Sequence, residues 1–322
     1  LRCLQVRVTF AHVKRAVKNL AKKMLRRGFE VGQRAGVDVL PRHFYSQIPN
    51  VTELRNTDSW KRPRDMSSVR GHELGSQLKF AERICRREIV ERASHERVYD
   101  QACASNGEPG FGPIEALFLY AFVHTERPRR IVQVGSGVSS AVIAAAATHA
   151  QYVPQLCCID PYPTEYLQRE AAAGRIELVA QPAQQVIGEQ AKSLRSGDLL
   201  FVDSTHVVKP GSEVNAIVLD VLPFLATGTW VHFHDITFPY DYTRRVISED
   251  LFFPQESTLL HAFLSCNERY ELCASLSMLH YDAPVRLAEL LPSYRSAGND
   301  SGLLTTEGHF PSSVYLRRVH SA

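Results

Sequence analysis

From about residue 113 onward, short apolar runs alternate with longer amphipathic stretches. The runs at 130–134, 155–159, 176–180, 199–202, 230–234, 270–276 and 314–318 have strand length and are apolar at most positions. That pattern fits strands buried on both faces, as in a parallel sheet. Between them, 139–149, 164–173, 183–192, 213–225 and 257–267 read as helices. The alternation predicts an α/β fold: a doubly wound, seven-stranded, mostly parallel sheet with helices on both faces. Ahead of it the pattern changes. Residues 1–34 read as a basic helix, and 35–50 as an extended segment in which Pro41 and Pro49 forbid a regular helix. A polar connection at 56–75, broken by Pro63 and Gly71, leads to a charged helix at 78–99. Gly107, Pro109, Gly110, Gly112 and Pro113 punctuate the chain before an apolar helix at 114–124. The expected organisation is a helical and extended N-terminal extension over 1–110 and an α/β domain over 111–322.

The turns between these elements carry the chemistry. The first strand breaks into Gly135-Ser136-Gly137 and then a helix, and the second ends in Asp160, 23 residues after Gly137. A strand, a Gly-x-Gly turn, a helix N-terminus and a later acid form the arrangement that brings backbone close to a nucleotide-like ligand and holds its ribose. A lone Gly-x-Gly also occurs in ordinary strand-to-helix turns. Here Asp203 and Asp235 follow the fourth and fifth strands, so four strand ends carry a glycine turn or an acid. In a doubly wound sheet these ends share one crevice. Ser140 stands where a dinucleotide site wants its third glycine, which speaks against a nicotinamide-dependent oxidoreductase but leaves that reading as an alternative.

Composition narrows the setting. The 322 residues are 44% hydrophobic and 22% charged, as expected of a globular chain, and no run is long enough for a membrane span. The net charge of +3 hides an asymmetry: the first 34 residues hold ten basic groups and one acid, a balance of +9, which leaves −6 for the remainder. The acidic body argues against nucleic acid as a substrate. The basic segment is either a solvated helix, a transit-type segment or a peripheral contact to a membrane surface or acidic partner. Seven scattered cysteines with no C-x-x-C pair fit neither a zinc site nor a disulfide framework. Arg2, Arg7 and Lys14 interrupt the apolar residues near the start, so a secretory leader is not expected and a cytoplasmic, reducing setting is.

With these residues in view, the chain from 112 to 318 resembles the class I S-adenosylmethionine-dependent methyltransferases, whose domain is Rossmann-like. The run Val134-Gly135-Ser136-Gly137-Val138-Ser139-Ser140 is similar to that family's first motif. The resemblance implies that Gln133, Gly135, Ser136, Gly137 and Ser139 surround the methionine portion of the cofactor. It further implies that Asp160 binds the ribose, that Ala183 and Gln184 lie near adenine, and that Asp203 borders the site. A narrower subgroup is similar in His43-Phe44-Tyr45-Ser46-Gln47-Ile48-Pro49, Gly112-Pro113-Ile114, His234-Asp235-Ile236, Pro239-Tyr240-Asp241-Tyr242, the 257–264 block and the closing Phe310-Pro311-Ser312-Ser313-Val314. Two positions depart from the pattern: Gln133 replaces the usual acid and Gln47 a common Pro. An amide at 133 carries no charge for the cofactor's ammonium, so a non-catalytic interaction protein is a further alternative.

Methyl transfer from a sulfonium asks the protein to align donor and acceptor and to manage one proton. Asp203, His206 and His234 are the candidate catalytic residues. His206, in a loop beside an acid, reads either as a general base or as a histidine bonded to backbone. Strand alternation puts His232 and His234 on one face with Trp230, and Asp235 on the other, and His232 reads as a core residue. By analogy with methyltransferases acting on catechols or vicinal diols, Asp203 and Asp235 would hold a divalent cation, Mg2+ or Mn2+; a mixed set with His206 or His234 and a metal-free arrangement both stay open. Tyr240, Asp241 and Tyr242 read as a lid or as surface packing. The expected activity is O-methylation of a hydroxylated small molecule or glycan-type acceptor.

Overall fold

In the computed structural model, residues 21–242, 251–295 and 311–320 are described. Two compact units are present, 1–50 and 51–322. In the first, 21–34 form helix α1, exposed along almost its whole length, followed by a turn at Gly36 and an extended, exposed segment. Arg2, Arg7, Lys14, Arg15 and Lys18 of the basic segment lie outside the described residues, as do Cys3 and Phe310.

The second unit begins with a short helix α2 (Val51–Arg55) and a 3-10 turn. Where one charged helix was expected at 78–99, there are three: α3 (Leu74–Ile84), α4 (Arg87–His95) and α5 (Val98–Asn106). Each carries its own short apolar stripe, such as Ala81 and Ile84, Ile89, Val90 and Ala93, or Val98 and Ala102. The chain bends at Cys85-Arg86, and Arg97 takes a left-handed conformation (φ 50°), so that each stripe meets the same core. No Gly or Pro marks these bends, which is why periodicity alone ran them together. Helix α6 (Pro113–Glu126) follows, starting on Pro113 at its first turn.

The sheet contains β1 (Arg130–Val134), β2 (Gln155–Ile159), β3 (Glu177–Val179), β4 (Leu199–Val202), β5 (Trp230–Phe233), β6 (Tyr270–Ser275) and β7 (Val314–Arg318). Its order is β3-β2-β1-β4-β5-β7-β6, with β7 antiparallel to both neighbours and the pairs from β3 through β5 parallel. The seven-stranded, mostly parallel expectation is met. Helices α7 (Val138–His149), α8 (Glu165–Ala172) and α9 (Ala183–Ala191) cross between the first strands. The single helix expected at 213–225 is instead an α-turn α10 (Glu213–Asn215), a π-helical stretch (Ala216–Val221) and a 3-10 turn (Leu222–Phe224), because Pro223 cannot donate to the helical ladder. After β5 come α11 (Glu256–Leu264), and after β6 come α12 (Leu276–Asp282) and α13 (Pro284–Leu290), the last two not foreseen.

The sheet has a core on each face, built by period-2 alternation. Ile131, Leu199, Phe201, Trp230 and Tyr315 face α3, α6 and α7, while Val132, Leu200, Val202, Val231 and Phe233 face α9, the 216–224 segment and α11. The switch point lies between β1 and β4, whose carboxyl ends open toward one side. No helix among the described residues is long and apolar enough to cross a membrane.

Candidate active site

At the end of β1 the chain runs too close to β4 for any side chain. Gly135 has φ +72°, and a Cβ there would lie 1.8 Å from the Asp203 carbonyl oxygen. The Asp203 amide also donates to the Val134 carbonyl at 2.9 Å, so the two strand ends are locked together. Gly137 (φ +153°) caps α7, and the Asn106 side chain lies over it, 3.1 Å from where a Cβ would stand. The Ser136 amide donates to Asp160 Oδ2 at 3.3 Å and the Tyr162 amide to Oδ1 at 2.8 Å, which fixes the acid against the glycine turn.

Gly135, Ser136, Gly137, Ser139, Asp160 and Asp203 line one cleft, joined by Asn106, Phe111 and Thr164 and by the 108–110 loop. Thr164 donates to Asn106 Oδ1 at 3.0 Å, tying the loop after β2 to the end of α5. Within the cleft Ser136 Oγ is buried with no hydrogen-bond partner, a polar atom left for a ligand. Three expected cofactor residues stand elsewhere. Gln133 is fully buried beneath the turn, donating to Ser139 Oγ at 2.7 Å and accepting from Ser140 Oγ at 2.9 Å, so its amide knits β1 to α7. Ala183 packs in the core at the start of α9 and Gln184 is exposed; neither borders this cleft.

Next to Asp203 lies a cluster of charged groups. His206 (φ +60°) pairs through Nδ1 with Glu256 Oε2 at 2.7 Å, and its Nε2 is 3.5 Å from both Asp203 Oδ1 and Asp235 Oδ2. His234 pairs through Nε2 with Glu115 Oε2 at 3.1 Å, and its Nδ1 is 3.3 Å from Asp203 Oδ1 and 3.6 Å from Asp235 Oδ1. Asp235 itself is in the left-handed region (φ +55°) and accepts from Ser312 Oγ at 3.0 Å. The turn swings its carboxylate back to the level of His234, so the opposite-face placement given by strand alternation does not keep these two residues apart.

Burial disfavours the charged form of His206, but the nearby Asp203 carboxylate and the hydrogen bond to Glu256 outweigh it and raise the imidazole to about 10. Burial likewise opposes charge on His234, and Asp235, Glu115 and Asp203 overcome it and push its pKa well above the ordinary value. For Asp203, burial works upward, while His234 and His206 together hold the carboxyl well below the usual range. Glu256 moves the other way, because its burial exceeds the attraction of His206. His232 is a core residue, as expected: it stacks on Phe201 at 4.2 Å, bonds Ser313 Oγ at 3.0 Å, and is held neutral by burial and by the neighbouring His234.

Tyr240 packs on Tyr281 at 4.8 Å, and Asp241 takes both Arg64 Nε and Nη2, which anchors the segment after β5. Sequence reasoning missed Glu115, Glu256, Ser312 and Asn106. Glu115 had a signal, being an acid inside an otherwise apolar helix, and such a group needs a buried partner. The other three lie far along the chain from β4 and β5; Ser312 stands in the closing 310–314 block, but nothing local ties it, Glu256 or Asn106 to this site.

The family comparison falls on the strands that carry this site. Residues 132–236 match a family model described as a methyltransferase domain. Over 193 residues the chain is 33% identical to an uncharacterized protein of Archaeoglobus fulgidus, covering 56% of this chain and 82% of that protein. Among solved structures it is similar to an SAH-bound methyltransferase of Podospora anserina, with 14% identity, 88% of this chain and 99% of that chain covered and a TM-score of 0.39. It is also similar to a methyltransferase of Geobacter sulfurreducens, with 18% identity, 44% and 73% covered and a TM-score of 0.33. The chain belongs to the class I S-adenosylmethionine-dependent methyltransferases. It is accordingly an enzyme of that class, with S-adenosylmethionine as its cofactor, and the oxidoreductase and non-catalytic alternatives are set aside.

Proposed function

We propose that this enzyme methylates a hydroxyl oxygen on a small-molecule or glycan-type acceptor. One observation carries the reading: Asp203 belongs both to the cleft under the glycine turn and to the histidine and carboxylate cluster beside it. Donor binding and acceptor activation therefore meet at one residue. When bound, S-adenosylmethionine supplies an activated methyl group. The chain's own residues have to seat the cofactor, align the acceptor and deal with its proton.

Ser136, Gly137 and Asp160 are the residues that would hold the cofactor, with the unpartnered Ser136 Oγ as the free polar contact. With its imidazole raised to about 10, His206 is protonated at neutral pH and does not serve alone as a base. Asp203 and Asp235 would hold a divalent cation, whose charge would acidify the acceptor hydroxyl so that its proton could pass to water. The Asp235 side chain is 53% exposed and gives an acceptor access from outside. We place the reaction in the cytoplasm, in keeping with the free state of Cys85, Cys103, Cys157, Cys158, Cys266 and Cys273. The basic N-terminal segment would serve as a peripheral contact to an anionic surface or acidic partner.

Calorimetry with S-adenosylhomocysteine, on the wild type and on Asp160→Ala, tests the cofactor half; undiminished binding by the variant would refute the assignment of that acid. Release of S-adenosylhomocysteine in the presence of a panel of catechols, sugars and matched amines tests the acceptor half. Turnover confined to amines would overturn O-methylation.

A further inference from the structure

The feature least accounted for by an oxygen-bound cation is the pair of imidazoles. Each has one ring nitrogen on a buried glutamate: His206 Nδ1 on Glu256, which is 1% exposed, and His234 Nε2 on Glu115, which is 0% exposed. Each thereby turns its other nitrogen toward Asp203 and Asp235. A carboxylate that holds one N–H of a histidine and presents the opposite lone pair is the usual support of a metal-ligating imidazole, fixing its tautomer and its direction. His234 Nδ1 is moreover buried without a hydrogen bond of good geometry, faced only by Asp203 Oδ1 at 3.3 Å and Asp235 Oδ1 at 3.6 Å.

Distances point the same way. The candidate ligand atoms of Asp203, His206 and His234 all lie within 4.8 Å of one another. The nitrogen-to-carboxylate separations are 3.3 to 3.6 Å. Charge-assisted hydrogen bonds between imidazolium and carboxylate close to about 2.7–2.9 Å. Two ligands on a common ion at about 2.1 Å stand roughly 3.0–3.4 Å apart, depending on whether the geometry is octahedral or tetrahedral. These gaps are thus wider than direct ion pairs and close to the edge of a coordination shell. Carboxylates also outnumber imidazoles, Glu115, Asp203, Asp235 and Glu256 against His206 and His234, so the cluster has anionic character to offer a cation.

We propose that Asp203, His206 and His234 form a mixed nitrogen and oxygen centre for a divalent first-row transition ion, oriented by Glu256 and Glu115 and flanked by Asp235, in preference to a magnesium or calcium site. It deepens the methyl-transfer reading, on which it rests only for the use to which the ion is put. Hard cations want oxygen ligands and, in the case of Mg2+, retained waters. Binding would displace the proton that each imidazole otherwise carries, and the two nitrogen donors so freed favour a first-row transition ion, with affinity rising from Mn2+ through Co2+ to Ni2+. Glu256 and Glu115 act as positioning residues through the histidines.

The test uses the full chain stripped with a chelator and titrated with Co2+, whose visible d–d absorption reports nitrogen ligation without any turnover. One equivalent of Co2+ binds, and Mg2+ in about hundredfold excess does not displace it. Affinity falls by about a hundredfold or more in His234→Ala and in His206→Ala, and by about 10- to 100-fold in Glu256→Gln, which keeps the side-chain shape. The wild-type competition needs no variant and so survives any that fail to fold. Absence of Co2+ uptake at millimolar metal, or displacement by equimolar Mg2+, overturns the inference and leaves at most an oxygen-only site at Asp203 and Asp235. Calorimetry with S-adenosylhomocysteine on the same samples separates the two readings. Co2+ uptake without cofactor binding upholds the metal centre and defeats methyl transfer, while cofactor binding without Co2+ uptake does the reverse.

Discussion

Replacing Glu115 is expected to expose how much of the molecule's stability is invested in the site. Its Oε1 accepts from the Ser312 amide at 2.8 Å, from Ser312 Oγ at 2.9 Å and from Ser313 Oγ at 3.4 Å, and its Oε2 faces His234 Nε2 at 3.1 Å. In Glu115→Ala the two serine hydroxyls keep other partners, Asp235 and His232. The Ser312 amide and the His234 Nε2 do not. Leaving a buried polar group unpaired costs about 1–3 kcal/mol, so the two together cost about 2–6 kcal/mol, in line with the roughly 3–5 kcal/mol for breaking one side of a buried ion pair. Glu115→Gln retains the acceptor for Ser312 and loses only the charge facing His234, an effect of about 1–2 kcal/mol. With a urea slope of about 3 kcal/mol per molar, the alanine variant should unfold about 0.7–2 M earlier than the wild type and the glutamine variant about 0.5 M earlier. An alanine variant within about 1 kcal/mol of wild type, or a glutamine variant as damaged as the alanine one, would refute the reasoning, because neither fits a carboxylate whose acceptor oxygens are what hold the site.

Gly135→Ala places a methyl 1.8 Å from the Asp203 carbonyl while the strands are locked on either side; it should lose several kcal/mol in denaturant titrations and bind no S-adenosylhomocysteine, and near-native binding would count against the locked turn. Gln133→Glu restores the family's acid at a position sealed beneath the turn, so calorimetry should find cofactor affinity changed by less than about threefold, or under about 0.7 kcal/mol. A tenfold gain would mean that the charge reaches the ammonium after all. His232 has a folded pKa well below its ordinary 6.5, so the unfolded chain takes up the proton first: its contribution is present above pH 6.5 and is lost as pH falls, at about 1.4 kcal/mol per pH unit. His206, raised to about 10, has the opposite sign and loses its contribution only as pH rises from 6.5 toward 10, outside that acid window. Denaturation between pH 6.5 and 4.5 should therefore flatten in His232→Phe, and equal slopes in variant and wild type would contradict a buried neutral imidazole.

How much of this was legible in the sequence follows from where each partner sits along the chain. The strands and the glycine turn were readable because their signals are local: a run of buried residues has its length and alternation, and the approach of Gly135 to β4 demands a residue without a Cβ. Asp160, Asp203 and Asp235 were readable because acids at strand ends converge once the sheet is parallel. The internal work of Gln133 was not. Its position suggested the cofactor, and only the placement of Ser139 and Ser140 at the start of α7 turns its amide inward. The same holds for the charged cluster: Glu115 belongs to α6, Glu256 to α11 and Ser312 to the lead-in to β7, which doubles back beside β5.

That distribution bears on how the site is built. The residues that present charge to the cleft, Asp203 and Asp235, come from the ends of β4 and β5, while the residues that hold the imidazoles come from helices on opposite faces of the sheet. Glu115 sits within the core shared by α3, α6 and α7, and Glu256 opens the helix that covers the other face. Neither glutamate can be displaced without disturbing a packed layer, so the direction of His206 and His234 is fixed by the two cores and not by the loops that carry them. A site made this way keeps its geometry while the half-buried residues Tyr240 to Tyr242 answer to the acceptor. Substitutions at Tyr240 or Tyr242 should accordingly change which acceptor is turned over and leave metal uptake as it was. A metal affinity that followed those tyrosines would place the control of the site in the loop.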